Sequence, residues 1–299
     1  MHAPAASESR TIRIGLIQGV GAYASWGLLP LYFALVRRVG PLEVVAHRIL
    51  WSLLLLAALL TVARRWGRVA EAVGNRRAMA MLAASAALIS GNWLIYIWAV
   101  QQHHVLEGSL GYFLNPLLNV ALGVALLRER LSRVQAAAVA LAALGVLVLA
   151  VGALGGLWIS LSLALTFALY GLVRKLAPVE ALEGLSIETA LLAPFAIGYL
   201  AFAGPGLAFG STAGISTLLA LSGIVTAIPL LLFAAAARRL RYSTLGLLQY
   251  LAPTLQFLCA VVVLGEHLTA AHMACFALIW SGLALYVGEG LVKGRRRAA

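Results

Sequence analysis

The sequence predicts an all-α integral membrane protein with ten transmembrane helices, arranged as two inverted five-helix repeats. Three observations predict it: a composition too apolar for a water-facing surface, long unbroken apolar runs, and a half-length repeat whose two copies carry opposite charge bias. Of the 299 residues, 63% are hydrophobic and only 11% charged, where a soluble domain carries about a quarter charged. Mean hydropathy is +0.97. A chain of this length has room for about ten spans of roughly 20 residues with short loops. The runs are continuous and rich in Ala and Leu, which indicates helices; a membrane barrel would show short alternating segments.

The runs place spans near 14–35, 43–63, 78–100, 106–127, 134–152, 157–173, 185–203, 217–237, 245–264 and 270–291. Residues 1–13 read as a cytoplasmic N-terminal segment and 292–299 as a basic cytoplasmic tail. The first run is too long for a signal-peptide core, so it is expected to be a retained helix. Gly15 and Gly19 form a small-xxx-small pair that lets another helix approach the first span. Cys259 and Cys275 fall inside apolar segments and read as packing residues.

A net charge of +12 would suit nucleic acid if it formed one patch. Instead the basic residues sit in short clusters between apolar runs, where they set orientation and meet anionic headgroups. With the N-terminus inside, every Lys and Arg except Arg37, Arg38 and Arg48 falls in an inside segment. This asymmetry fixes an even number of spans with both termini cytoplasmic. Arg37 and Arg38 sit in an outside loop, and Arg48 lies within the second span.

The repeat sets Gly111-Tyr112-Phe113-Leu114-Asn115-Pro116 beside Leu248-Gln249-Tyr250-Leu251-Ala252-Pro253, an offset of 137 residues. At that offset Asn119 meets Gln256, Glu129 meets Glu266 and Gly145 meets Gly282. Upstream, Trp26-Gly27 meets Tyr170-Gly171 at 144, and Glu43 meets Glu188 at 145. The two units are residues 14–152 and 157–291. Five spans per unit forces the second copy upside down, and the charges agree. Arg128-Glu129-Arg130 becomes Gly265-Glu266-His267, losing its arginines, while Gln102-His103-His104 becomes Arg239-Leu240-Arg241 and gains them. Arg37-Arg38 against Arg174-Lys175 does not follow the pattern.

Polar side chains inside the spans are the candidate functional residues. Glu43, His47 and Arg48 stand at the entrance of the second span, with His47 one turn from Glu43. A charge inside the bilayer costs about 2.5–3.5 kcal/mol on insertion scales and needs a partner or a wet cavity. The trio, with Glu188 as repeat mate of Glu43, is either a gate or proton-coupling element or a structural ion pair. Asn92 and Tyr96 on the third span, Tyr112, Asn115 and Asn119 on the fourth, and Gln249 and Gln256 on the ninth form polar stripes on otherwise apolar helices. Together with mid-span Trp26 they are expected to line a substrate cavity, the alternative being hydrogen bonds between helices worth about 0.6–2 kcal/mol each. Trp93 and Trp98 read as interface anchors or binding groups, and Trp66 and Trp158 as anchors. Pro116, Pro229 and Pro253 interrupt helices and are candidate hinges.

These residues also carry a resemblance. Tyr23-x-x-Trp26-Gly27-x-x-Pro30-x-Tyr32-Phe33 followed by Glu43-x-x-x-His47-Arg48-x-x-Trp51-Ser52 resembles the start of the RarD family, in the EamA branch of the drug/metabolite transporter superfamily. Gly91-Asn92-Trp93, Glu107-x-Ser109-Leu110-Gly111-Tyr112-Phe113-x-Asn115-Pro116, Tyr170-Gly171-Leu172-Val173-Arg174-Lys175 and Gln249-Tyr250-x-x-Pro253-Thr254 continue it in order over nearly the whole chain. The resemblance implies an inner-membrane permease with a substrate path between its halves, often labelled by chloramphenicol sensitivity. It leaves the physiological substrate open.

The reading is therefore a secondary transporter for a small-molecule substrate in a lipid bilayer, with proton coupling and a homodimer both open. No cofactor, metal or nucleic-acid partner is expected. No GxxxxGK[ST] loop is present, so ATP is not its direct energy source. Two other classes stand beside it. A membrane-embedded metal enzyme would use His103, His104 and Glu107, a set in which only Glu107 stands close in sequence to the histidines where three or four converging ligands are needed. A non-transporting sensor would need a larger cytoplasmic surface than residues 64–77 supply.

Overall fold

The structure, a computed structural model, describes residues 3–36, 38–101, 105–150, 157–259, 262 and 270–298. Among these residues the chain is helical, with short connections. Helix α1 (Ala3–Gly27) ends at Leu28 and restarts at once as α2 (Leu29–Leu35). Pro30 has no N–H to give, and α2 places it in its first turn, where none is needed. Helix α3 (Pro41–Val62) begins on a proline for the same reason. The stretch read as a loop holds a short helix α4 (Trp66–Gly74), whose Ala72 packs on Ala78 and Leu82 of α5 (Arg76–Gln101).

The sequence then runs through α6 (Val105–Ala125), α7 (Arg133–Ala150), α8 (Leu157–Leu176), α9 (Ala181–Phe202) and α10 (Ala213–Arg239). Helix α11 (Tyr242–Gln249) is interrupted at Tyr250 and continues as α12 (Leu251–Leu258); α13 (Ala270–Ala298) closes the chain. Six helical stretches among the described residues are long and apolar enough to cross a bilayer: Arg10–Leu35, Pro41–Val62, Arg76–Tyr96, Leu157–Leu176, Ala181–Phe202 and Ala213–Arg239. Shorter apolar stretches are Leu110–Ala125, Arg133–Val148 and Met273–Tyr286. Large apolar side chains such as Val62, Phe195 and Phe202 face outward, 84%, 76% and 91% exposed. Lipid is the solvent that tolerates such a surface.

Helix α1 packs on α10 and α12, α3 on α9 and α10, α5 on α8 and α9, α6 on α8 and α11, and α7 on α13. An aromatic core between α1, α8 and α10 joins Tyr23, Phe167, Tyr170 and Phe233. A second core joins Phe113, Val146, Tyr250 and Phe276 across α6, α7 and α13. Glycines set the closest crossings. A Cβ at Gly15 would lie 2.9 Å from Arg239 Cβ, and one at Gly19 would lie 3.1 Å from Leu248. The small-xxx-small pair therefore receives the end of α10 and α11. At Gly145 a Cβ would meet the Cys275 carbonyl oxygen at 2.9 Å, and at Gly282 the Ala138 carbonyl oxygen at 2.7 Å.

Candidate functional site

Helices α3, α5, α8, α9 and α10 surround a narrow cavity of about 20 Å³, within about 370 Å³ of space that includes its open mouth. Its polar wall is Arg48 and Ser52 from α3, Glu188 and Thr189 from α9, Thr226 from α10 and Tyr170 from α8; Ile49, Ile89, Trp93, Leu185, Leu192, Ala227 and Leu230 complete it. Arg48 stands two turns into α3, about 10 Å from the helix start at 1.5 Å per residue. Its Nε donates to Thr226 Oγ1 at 2.8 Å. Its Cζ lies 5.2 Å from the Trp93 ring centroid and 5.8 Å from that of Phe33, within cation–π range. Among the described residues no carboxylate pairs with it.

Glu188 is held from the opposite side. Its Oε1 is 3.4 Å from Arg174 Nη1 and accepts a hydrogen bond from Ser85 Oγ. Both Arg174 and Glu188 are buried, at 0% and 2% exposure. Arg174 fits because Gly184, one turn before Glu188 on α9, carries no side chain where the guanidinium lies. Among the described residues Glu188 Oε2 has no hydrogen-bond partner. On the same end of α9, Glu183 pairs with Arg65 at 3.2 Å, and Glu180, just before the helix, with Arg238 at 3.1 Å.

Glu43 and His47 sit one turn apart, as expected, yet neither joins Arg48. Glu43 accepts hydrogen bonds from the backbone N–H groups of Ala208 at 3.0 Å and Phe209 at 2.9 Å. His47 Nε2 is 4.0 Å from Glu43 Oε1, its Nδ1 accepts from Trp51 Nε1 at 3.3 Å, and its ring stacks on Phe209 at 4.6 Å. The pair clasps the connection between α9 and α10 onto the start of α3.

The polar stripes meet one another across helix contacts. Asn92 Nδ2 donates to Leu163 O at 2.8 Å and Thr166 Oγ1 at 2.9 Å, joining α5 to α8. Tyr96 and Tyr112 pack edge to face at 5.7 Å. Asn119 Nδ2 donates to Gln249 Oε1 at 2.7 Å, joining α6 to α11, while Asn115 Oδ1 and Asn119 Oδ1 are buried without partners among the described residues. Gln256 Nε2 donates to Trp26 O at 3.2 Å. The Trp26 ring packs among Tyr23, Phe167 and Phe233. Of the residues singled out in the sequence, Arg48, Trp93 and Glu188 line the cavity; the others named here bind helices to one another around it.

The prolines behave differently from one another. Pro116 and Pro229 lie inside helices that run on, whereas Pro253 sits in the first turn of α12, after the break at Tyr250. Glu129 accepts from Tyr242 N at 2.6 Å, Ser243 N at 2.9 Å and Ser243 Oγ at 2.6 Å, capping α11. His103, His104 and Glu266 lie outside the described residues, as does the side chain of Glu107. Sequence reasoning missed Ser52, Thr189, Thr226 and Tyr170 as cavity residues. The signal available was Ser52, one turn from Arg48 on α3.

Comparison with known proteins gives this arrangement its class. Residues 13–151 match the EamA-like transporter family. A solved crystal structure aligns over 91% of this chain and 96% of its own, with TM-score 0.72 and 22% identity, a likeness of fold. The chain is a multi-pass membrane transporter of the drug/metabolite superfamily. Protein RarD of Escherichia coli is 46% identical over 303 residues, covering 97% of this chain and 99% of that protein. An uncharacterized transporter of Pseudomonas aeruginosa is 50% identical over 280 residues, covering 92% and 93%. A second protein of that organism, named chloramphenicol-sensitive protein RarD, is 34% identical over 276 residues, 91% and 92% of the two chains. The chain belongs to the RarD family.

Proposed function

We propose that this protein is an inner-membrane secondary transporter with ten spans and both termini in the cytoplasm. In this reading residues 14–152 and 157–291 are two inverted five-helix repeats that rock against one another to expose the cavity to each side in turn. The observation that carries it is the pairing of contacts. If α1 with α2, then α3, α5, α6 and α7 correspond in order to α8, α9, α10, α11 with α12, and α13, the packing of α6 on α8 mirrors that of α11 and α12 on α1, and α1 on α10 mirrors α8 on α5. The contact of α3 with α10 mirrors that of α9 with α5, and α3 with α9, α6 with α11 and α7 with α13 are their own mirrors. Individual residues follow: Gly145 against Cys275 and Gly282 against Ala138 are one contact seen twice at the 137-residue offset.

Arg48 and Glu188 form the solute-facing wall, reached from opposite ends of the bundle. Glu188 and His47 are the groups placed to couple movement to protons. Both halves of the path come from one chain, so a homodimer is not required.

Reporter fusions at residues 128–133 and 265–272 test the topology; opposite sides of the membrane are expected, and the same side would refute the inverted repeat. Untargeted comparison of metabolites inside and outside cells tests the activity. Overexpression of the native chain should redistribute at least one solute that Glu188→Gln protein, present at equal level in the membrane, does not. No redistributed solute at high expression counts against transport.

A further inference from the structure

Among the described residues two charged side chains line the cavity, Arg48 and Glu188. Glu188 is matched by Arg174 at 3.4 Å, and Ser85 also donates to it. Among the described residues Arg48 is matched by nothing of opposite sign. Its Nε is used by Thr226 at 2.8 Å, and its two Nη groups donate to nothing among the described residues. Trp93 and Phe33 offer ring faces to the guanidinium, which orient it without neutralising it. A cation at this depth is costly unless an anion joins it. What remains free is the flat end-on edge of the guanidinium, two parallel N–H groups spaced for the two oxygens of a carboxylate.

The rest of the wall is apolar, with Ile89, Leu185, Leu192 and Leu230 beside the rings of Trp93 and Tyr170. In this conformation the enclosed space is about 20 Å³, room for a water, so a larger solute enters only as the walls part.

We propose that this cavity binds a small monocarboxylate with an apolar or aromatic flank, its carboxylate on the Nη edge of Arg48 and its flank against Trp93, Ile89 and Leu185. The location of the site as a solute path rests on the transporter reading; the charge preference rests on Arg48 alone. An amphipathic anion is favoured over a neutral solute because a neutral ligand leaves the cation uncompensated. It is favoured over a cation because Arg174 already balances the charge of Glu188.

The test uses the full-length chain purified in detergent and three probes of one shape and different charge: phenylacetate, phenylacetamide and phenethylamine. Calorimetric titration and ligand-dependent thermal unfolding should show phenylacetate binding at least roughly tenfold tighter than the amide or the amine, the value of one charge-assisted hydrogen bond. Arg48→Gln should weaken phenylacetate roughly tenfold to hundredfold, and Arg48→Lys, which keeps charge without the fork, by less. If Arg48→Gln does not elute as a single folded species, Thr226→Val decides: it frees Nε and should weaken phenylacetate severalfold without changing amide binding. Equal or tighter binding of the amide or amine overturns the proposal. So does no phenylacetate binding by folded protein, or unchanged affinity in whichever of the two variants is folded.

Flux into proteoliposomes separates this proposal from the transporter reading. Saturable movement of phenylacetamide in preference to phenylacetate would leave transport standing and remove the anion. Phenylacetate binding in the expected charge order without flux would do the reverse.

Discussion

Replacing Asn119 and Gln249 singly and together tests whether their bond holds α6 to α11. Both side chains are buried, at 0% and 5% exposure, and Asn119 Nδ2 donates to Gln249 Oε1 at 2.7 Å. Among the described residues Asn119 Oδ1 already lacks a partner, so the two single substitutions are not equivalent. Gln249→Leu leaves Asn119 with both ends of its amide bare and adds an unpaired buried donor, worth about 1–3 kcal/mol. Asn119→Leu unpairs Gln249 Oε1 but also removes the bare Oδ1, so its cost is lower, about 0.5–1 kcal/mol. The double variant removes every atom of the pair and should lie within about 1 kcal/mol of native. The resulting coupling, about 0.6–2 kcal/mol, is the range of interhelical hydrogen bonds in membranes. Reversible unfolding in mixed micelles, monitored by tryptophan fluorescence, measures all four corners of the cycle. A coupling below about 0.3 kcal/mol, the noise of such cycles, would refute the argument, as would Asn119→Leu costing more than Gln249→Leu.

Three further predictions concern packing and charge. Gly145→Ala and Gly282→Ala should each destabilise by about 1–3 kcal/mol, since either Cβ would lie under 3.0 Å from a backbone carbonyl. Gly198→Ala, with open space around it, should be neutral or stabilising by up to about 1 kcal/mol; thermal unfolding in detergent compares the three. Arg174→Met strands the Glu188 carboxylate and should cost about 3–5 kcal/mol, most of it recovered in Arg174→Met with Glu188→Met. Fluorescence-detected size-exclusion after heating reads this, and an equally unstable double variant would mean that the pair is not the cause. Glu129→Ala removes three hydrogen bonds at the start of α11 and should cost about 0.5–2 kcal/mol, read as a lower unfolding midpoint.

Apolar run length made the helical, membrane-embedded nature of the chain legible, because it depends on local sequence alone. The break at Leu28 was less visible, although Pro30 marks it. Residues 64–77 read as a loop because Trp66, Val69 and Val73 form a helical face only two turns long, too short to stand out from the cluster of arginines. The candidate site was half legible. Arg48 and Glu188 are charges inside apolar runs and draw notice on that ground. Nothing local, however, tells that they share one cavity, since 140 positions separate them. Trp93 resembled an interface anchor because its partner, Arg48, comes from another helix. Arg174 counted among the cytoplasmic charges and departed from the repeat's charge pattern. Its burial against Glu188 depends on the slot left by Gly184, and that slot exists only once α8 and α9 are packed. The repeat offset equates Asn119 with Gln256, but Asn119 bonds to Gln249. An offset identifies equivalent positions, and equivalent positions need not touch.

The crossing of α7 and α13 has a consequence for how this chain is put together. Ala138 receives Gly282, and Cys275 receives Gly145, so each helix offers the other the same patch. A self-complementary patch of this kind is the isologous contact made when two identical subunits dimerise. In the two-repeat reading proposed above, the halves meet there as subunits do, and the covalent link between them supplies proximity more than shape. On that reading, residues 1–152 and 157–299 produced as separate polypeptides in one cell should find each other in the bilayer.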